Sequence, residues 1–159
     1  MIKRIFLTLL ILFTASAIAF AKDEDKLNYE IEGAGTGTQG TYLVKVTVIS
    51  KKSKINDDLI ARCAVHGVLF RGFNNKELRQ NQRPLAGSPM VEAQHADFFK
   101  DFFAENGTAK NYVASVNGSR QVIKAGKQYK ISSIVTVNKE QLHKDLESVG
   151  IIKGLNSGF

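Results

Sequence analysis

Residues 41–50 read TYLVKVTVIS, and this stretch decides the fold because its apolar residues recur at every second position. Alternate side chains of a strand point to opposite faces of a sheet, so the pattern produces one continuous apolar face. That face is formed by Tyr42, Val44, Val46 and Val48, and the opposite face by Leu43, Lys45, Thr47 and Ile49. The stretch predicts a long strand with one face in the core.

A shorter strand is predicted upstream, where Leu27, Tyr29 and Ile31 alternate with polar residues. Between the two strands, residues 35–40 read GTGTQG and match the dinucleotide-binding pattern G-x-G-x-x-G letter for letter. That pattern binds pyrophosphate where a helix N-terminus follows it. Here a strand follows instead, so we interpret residues 33–40 as a flexible hairpin connection, and we predict no cofactor.

Downstream of the long strand, a helix is predicted from a cap at Asn56 to about Arg71, with Gly72 as its stop. A narrow polar stripe is formed by Asp58, Arg62 and His66, which are spaced by four. The broad remaining face is apolar or small and consists of Leu59, Ile60, Cys63, Ala64, Gly67 and Val68. The pattern indicates a largely buried helix.

A second helix is predicted to begin at Ser88 as cap and Pro89 as the first helical residue, and to end at Gly107. Its apolar stripe consists of Val91, His95, Phe98, Phe99, Phe102 and Phe103. Four phenylalanines could stack on a cofactor, but this spacing is more typical of a core-facing helix. His95 is expected to be a core histidine.

The following segment predicts a three-stranded meander over residues 112–116, 120–124 and 128–137. Asn117-Gly118 between the first two strands is a strong hairpin signal, because both central positions of a type I′ turn need a positive φ. Ala125-Gly126 provides the second turn. We expect all three strands to pair with their sequence neighbours.

A last helix is predicted to begin at Asn138 with a capping box to Gln141 and to end at Gly150. Its inner face consists of Leu142, Leu146 and Val149. The complete order is β-β-α-α-β-β-β-α. The sequence therefore predicts an α+β fold, a two-layer sandwich of a mostly antiparallel sheet with helices on one face.

The N-terminus has the three parts of a secretory signal peptide: Lys3 and Arg4, a short apolar run, and small residues up to Ala21. We predict a signal peptide over residues 1–21, a flexible leader over 22–26 and one domain over 27–159. The location expected from this is periplasmic or extracellular, with no transmembrane segment after signal removal. Removal of Lys3 and Arg4 would lower the formal net charge from +7 to +5.

Catalytic and metal signatures are weak in this sequence. Cys63 is the only cysteine, so no internal disulfide is possible, and its apolar surroundings favour a buried thiol over a nucleophile. The histidines, His66, His95 and His143, show no metal-ligand spacing, and His143 is expected to be solvated. We predict no catalytic, metal or cofactor residues.

The segment 73–87 is polar and lacks periodicity, which predicts a loop. Arg71, Lys76, Arg79 and Arg83 oppose only Glu77, so the region carries a net charge of +3, with an exposed Phe73 among the cations. These five residues, Arg71, Phe73, Lys76, Arg79 and Arg83, form the candidate surface for an anion or a partner. A merely solvated loop is the alternative. Basic residues elsewhere are spread along the chain, so no nucleic-acid partner is predicted.

Residues 62–73, RCAVHGVLFRGF, and the ending 150–155, GIIKGL, resemble small exported proteins of Gram-negative bacterial envelopes whose function is uncharacterised. The resemblance covers most of the chain after residue 21 and implies an envelope location, but it carries no catalytic motif. The strand-helix-helix-meander order also resembles small periplasmic docking modules, by fold analogy alone.

These observations lead to two functional hypotheses. The first is a non-catalytic binding or docking domain of the cell envelope, whose partner is an envelope protein or an anionic envelope component. The alternative is a small envelope enzyme or enzyme inhibitor. A cleft with converging titratable groups would favour the enzyme, whereas an exposed basic or apolar patch would favour binding.

Overall fold

The computed structural model describes residues 27–115 and 118–154. The predicted signal peptide over 1–21 and the predicted leader over 22–26 lie outside the described residues, as do Val116, Asn117 and residues 155–159. In chain order, the elements are β1 (Tyr29–Gly33), β2 (Tyr42–Ser50), α1 (Asp57–His66), a π-helical turn (Gly67–Arg71), β3 (Phe73–Asn75), β4 (Gln80–Gln82), α2 (Met90–Gln94), α3 (Ala96–Phe102), a 3₁₀ turn (Thr108–Tyr112), β5 (Val113–Ser115), β6 (Gln121–Ala125), β7 (Gln128–Val137) and α4 (Lys139–Ser148).

The main sheet is antiparallel and built on the predicted long strand. β2 lies between β1 and β7, and β5 and β6 both pair with the far edge of β7. Because β1 and β2 pair antiparallel, the glycine-rich residues between them form a hairpin connection. The chain has an α+β fold, as the sequence predicted.

The core lies against one face of this sheet. Val44, Val46 and Val48 are buried there, and they belong to the same core as buried residues of α1, α3 and α4. The opposite face of the sheet mixes apolar residues with ion pairs: Lys45 pairs with Glu32 at 3.3 Å, and Lys130 with Glu30 at 3.4 Å. The alternation along residues 41–50 therefore separates the core from a charged sheet face, as expected from its period of two.

The first helix begins and ends where the sequence predicted. The Asn56 side chain accepts a hydrogen bond from the Asp58 amide, and Gly72 ends the helix with a φ of 67°. Its last turn is π-helical: the Gly72 amide donates to the Gly67 carbonyl. The Val68 and Leu69 carbonyls accept instead from the Leu85 and Ala86 amides at 2.9 and 3.0 Å, so the segment after β4 caps this helix end.

The segment 73–87 is not simply a loop, which corrects the sequence interpretation. β3 and β4 pair antiparallel over three residues each, from Phe73 opposite Gln82 to Asn75 opposite Gln80. Strands this short and polar have no periodicity that a sequence pattern can detect. The segment is therefore a defined hairpin with its tip at residues 76–79.

The predicted second helix is divided in two at His95, whose φ of −121° and ψ of 39° are not helical. The interpretation of its phenylalanines as core residues is confirmed for Phe99 and Phe102, which are buried. Phe99 also meets Phe70 of the π-helical turn edge to face, with ring centroids 5.0 Å apart.

The predicted meander is wrong in its first turn. β5 and β6 are both antiparallel to β7, so they run in the same direction and do not form a hairpin with each other. The ladder is interrupted between them, and the Ser119 hydroxyl fills the gap: it accepts from the Ile134 amide at 3.0 Å and lies 3.2 Å from the Ile134 carbonyl oxygen. β5 and β6 are thus one interrupted edge strand.

The last helix keeps its predicted cap, in which the Asn138 side chain accepts from the Gln141 amide. Leu142 and Leu146 are buried as predicted, but Val149 is exposed because the helix ends at Ser148 and the chain turns away. Among the described residues, no helix combines the length and the apolar character needed to cross a bilayer.

Candidate functional site

The β3–β4 hairpin is held rigidly against the connection between β1 and β2. Asn75 is buried, its side-chain amide donates to the Gly35 carbonyl at 2.9 Å, and its Oδ1 accepts from the Leu78 amide at 3.1 Å. A Cβ at Gly33 would lie 2.6 Å from the Asn75 Cβ, so only glycine permits this approach. The base of the hairpin is part of the folded core, and its tip is not.

Three of the five predicted surface residues are exposed on this hairpin: Lys76, Arg79 and Arg83. Lys76 Nζ lies 3.8 Å from a Glu32 carboxylate oxygen but stays 82% exposed, so the pairing is weak. Within residues 27–115 and 118–154, Arg79 and Arg83 have no ion-pair partner. Leu78, at the tip between Lys76 and Arg79, is 43% exposed. Arg83 follows β4, at the other end of the hairpin.

The other two predicted residues have structural roles. Phe73 was expected to be exposed, but it is only 8% exposed and packs edge to face on Tyr42, with ring centroids 5.2 Å apart. The Arg71 guanidinium donates to the Tyr29 carbonyl at 2.9 Å and lies 4.1 Å from the Tyr29 ring centroid. The docking surface therefore consists of Lys76, Arg79 and Arg83, joined by Leu78.

A polar cluster that the sequence did not indicate lies beneath the same edge of the sheet. His66 Nδ1 lies 2.6 Å from the Tyr29 hydroxyl, and His66 Nε2 lies 3.0 Å from Glu92 Oε1. The imidazole is further surrounded by Phe70 and Phe103, with centroids 5.2 and 5.4 Å away. One tautomer satisfies both contacts: Tyr29 donates to Nδ1, and Nε2–H donates to Glu92.

Burial sets the protonation of this cluster. Desolvation raises the pKa of Tyr29 well above its usual range, so its hydroxyl stays protonated. Desolvation also lowers the pKa of His66, against the opposing effect of the Glu92 carboxylate. A buried, protonated phenol does not offer a nucleophile to a substrate, so the cluster joins β1, α1 and α2 without presenting reactive atoms.

The remaining candidate residues do not form a reactive site either. Cys63 is fully buried, and burial raises the pKa of its thiol to about 12, which keeps it unreactive as predicted. His143, expected to be solvated, is buried beside Glu147, with Nδ1 3.5 Å from a carboxylate oxygen. His95 is half-buried at the helix break. Among the described residues, no three ligand-type side chains are grouped as a metal site.

A second basic surface lies at the opposite end of the sheet. Ser50, Tyr129 and Lys124 are successive partners across β2, β7 and β6, so the loop after Ser50 lies beside the β6–β7 turn. This arrangement brings together five exposed lysines that have no ion-pair partner in the part of the chain that the structure describes: Lys51, Lys52, Lys54, Lys124 and Lys127. Sequence spacing did not reveal this group because its members come from two distant segments.

Comparison with protein-family models, with curated protein sequences and with solved structures finds no match to this chain.

Proposed function

We propose that this protein is an exported, non-catalytic binding domain of the bacterial cell envelope, and that its β3–β4 hairpin docks on an anionic lipid surface. The observation that carries the proposal is the exposed pair Arg79 and Arg83, without ion-pair partners among the described residues, on a hairpin whose base is buried. Export is supported by the three-part N-terminal sequence.

The anchoring of the hairpin supports a docking role because it orders the tip before binding. Asn75 makes two hydrogen bonds and Phe73 packs on Tyr42, so β3, which leads into the turn with Lys76 and Arg79, is already held in place. A surface that is ordered beforehand loses less conformational entropy when it binds. The backbone that carries these charges is therefore held in place before binding.

The chemistry of the hairpin fits phosphate-bearing lipids. Guanidinium groups bind phosphate oxygens in a bidentate manner, and Arg79 and Arg83 are both exposed. Leu78 lies between Lys76 and Arg79 in the chain and can enter the boundary between head groups and acyl chains, while the cations remain at the head groups. Each basic residue near an anionic leaflet contributes about 1 kcal/mol.

The test uses vesicles of phosphatidylcholine with and without phosphatidylglycerol, and protein that begins at Lys22. The R79E/R83E variant should lose more than about tenfold in apparent affinity for the anionic vesicles. The matched control is K51E/K52E, which makes the same charge change at the other end of the sheet. Equal losses in the two variants would show general attraction to charge and would contradict docking through the hairpin.

Export is tested separately, by the intact mass of the protein recovered from the envelope or the medium. Cleavage after Ala21 predicts a mature chain that begins at Lys22. Recovery of the chain with residues 1–21 still attached would contradict the export part of the proposal and leave the docking test unaffected.

A further inference from the structure

Strand β6 is an open edge of the main sheet. All five of its residues are exposed, and its pairing partner is β7. Val122 and Ile123 are 49% and 58% exposed, although they are apolar and β-branched. Among the described residues, no backbone or side-chain group covers the outer side of this strand. β6 thus has the backbone and side chains of a strand that another strand can extend.

The β6–β7 hairpin determines which main-chain groups are available. Ala125 pairs with Gln128 across a two-residue loop, and such loops close with a hydrogen-bonded pair. Alternate residues of an antiparallel ladder then face away from the partner, so the amides and carbonyls of Val122 and Lys124 point outward. An added strand would find two residues at which it can exchange hydrogen bonds.

The unpaired charges around this edge are of one sign. Lys124 is on the strand, Lys127 is in its turn, and Lys51, Lys52 and Lys54 lie in the neighbouring loop. Arg120, just before β6, is already paired with Asp57, and Lys130 with Glu30. Five of the lysines that have no ion-pair partner in the described chain lie at the turn end of β6, which favours an acidic partner there.

We propose that β6 accepts an extended acidic segment of a partner protein as an added strand. The partner's main chain pairs with Val122 and Lys124. Because Ile123 lies on the face opposite to Lys124, the partner's apolar residues cover Ile123, and its acidic residues face Lys124 and Lys127 on the other side. A nine-residue strand such as β2 spans about 26 Å at 3.3 Å per residue, so this surface is well separated from the β3–β4 hairpin. The two surfaces can therefore bind independently.

A second copy of the same chain is a poorer occupant of this edge. Antiparallel pairing of two β6 strands about Ile123 would place each Lys124 opposite the partner's Val122, with the two lysines diagonal neighbours on one face. An acidic strand meets the same main-chain groups without this repulsion.

The experiment uses a fluorescent peptide of alternating glutamate and valine, about six residues long to match a typical strand. A matched peptide has the same sequence with an N-methyl group on every backbone amide, which removes its hydrogen-bond donors and keeps its charge. Binding is measured by fluorescence anisotropy to the wild-type domain, to K124E/K127E, and to K100E/K144E as an equal charge change at exposed helical lysines.

We expect the plain peptide to bind the wild type, K124E/K127E to weaken binding by about fivefold or more, and K100E/K144E to change it less than twofold. The N-methylated peptide should lose binding, and amide exchange at Val122 and Lys124 should slow when the plain peptide binds. Absence of peptide binding, equal binding of the methylated peptide, or a wild-type dimer in sedimentation that the plain peptide does not dissociate would overturn the proposal. The last result would identify a second copy as the occupant.

Discussion

The two edges of the main sheet differ in how they are covered. At the β1 edge, the Arg71 guanidinium binds the outward carbonyl of Tyr29, and β3 lies against β1. Asn75 extends this coverage by binding the Gly35 carbonyl just beyond the strand. At the β6 edge, all five residues are exposed and the nearest charges are lysines. One edge is part of the core, and the other is left to solvent.

This difference shows that an edge strand can be protected in two physically distinct ways. Covering β1 with buried side chains adds to stability, because Tyr29 and Phe73 lose their contact with water. A charged residue such as Lys124 on β6 does not bury apolar area, but it discourages pairing with another positively charged chain. Mutations at the β1 edge should therefore change the free energy of unfolding, whereas mutations at the β6 edge should change association with other chains.

The largest expected effect is the loss of stability on removing a ring that covers the β1 edge. Phe73→Ala should lower the free energy of unfolding by about 3 kcal/mol, because it removes a buried ring that packs on Tyr42. Ile123→Ala at the open edge is the matched truncation and should change it by less than about 0.5 kcal/mol. Urea unfolding of both variants tests this, and equal effects would remove the distinction between the edges.

The next effect concerns the anchor of the hairpin. Asn75→Ala removes two hydrogen bonds of a buried side chain and leaves the Gly35 carbonyl unpaired, which should cost about 2 kcal/mol. Asn74→Ala, one residue earlier on β3 but exposed, is the control and should be nearly neutral. If the two variants were equally stable, Asn75 would not be what holds the hairpin to the sheet.

A smaller effect is the pH dependence of the covered edge, through His66. Burial lowers the pKa of His66 in the folded protein, so the unfolded chain binds a proton more readily. The stability that neutral His66 contributes is fully present above the usual histidine pKa of about 6.5. It is lost as the pH falls below that value, because the unfolded chain then takes up a proton more readily than the folded protein. Wild-type stability should therefore decrease from pH 7 toward pH 5 relative to His66→Gln, in urea unfolding at each pH. If the wild type instead became more stable relative to His66→Gln as the pH fell, the Glu92 carboxylate would have a larger effect on the pKa of His66 than burial has.

The features that sequence predicted are those that depend on near neighbours. The alternation in residues 41–50, the caps at Asn56 and Asn138 and the stop at Gly72 all act within a few residues, and all are present in the structure. The reversal expected at Asn117-Gly118 failed although its local signal is strong. Pairing of β5 and β6 with β7, completed by the Ser119 hydroxyl, overrode the turn preference.

The features that sequence missed depend on tertiary contacts. The Tyr29–His66–Glu92 cluster joins residues from three elements. These residues are far apart in the chain, so no sequence motif could reveal that they meet. Phe73 was placed at the surface because its neighbours are charged, yet Tyr42 covers it. Arg79 and Arg83 could be predicted as exposed because a run of polar residues without periodicity seldom enters a core.

The smallest effect on stability is expected at the open edge, together with a change in association. Lys124→Val would place a third apolar residue beside Val122 and Ile123 and remove the charge that opposes pairing with a second copy. The free energy of unfolding should change by less than about 0.5 kcal/mol, because Lys124 is exposed and has no ion-pair partner in the described chain. Sedimentation velocity should show larger species than in the wild type at the same concentration.

The control is Lys144→Val, which introduces the same side chain at an exposed position of α4, away from any free strand edge. It should sediment like the wild type. If both variants sediment like the wild type, Lys124 does not protect the edge against association. The β1 and β6 edges would then differ only in how deeply they are buried.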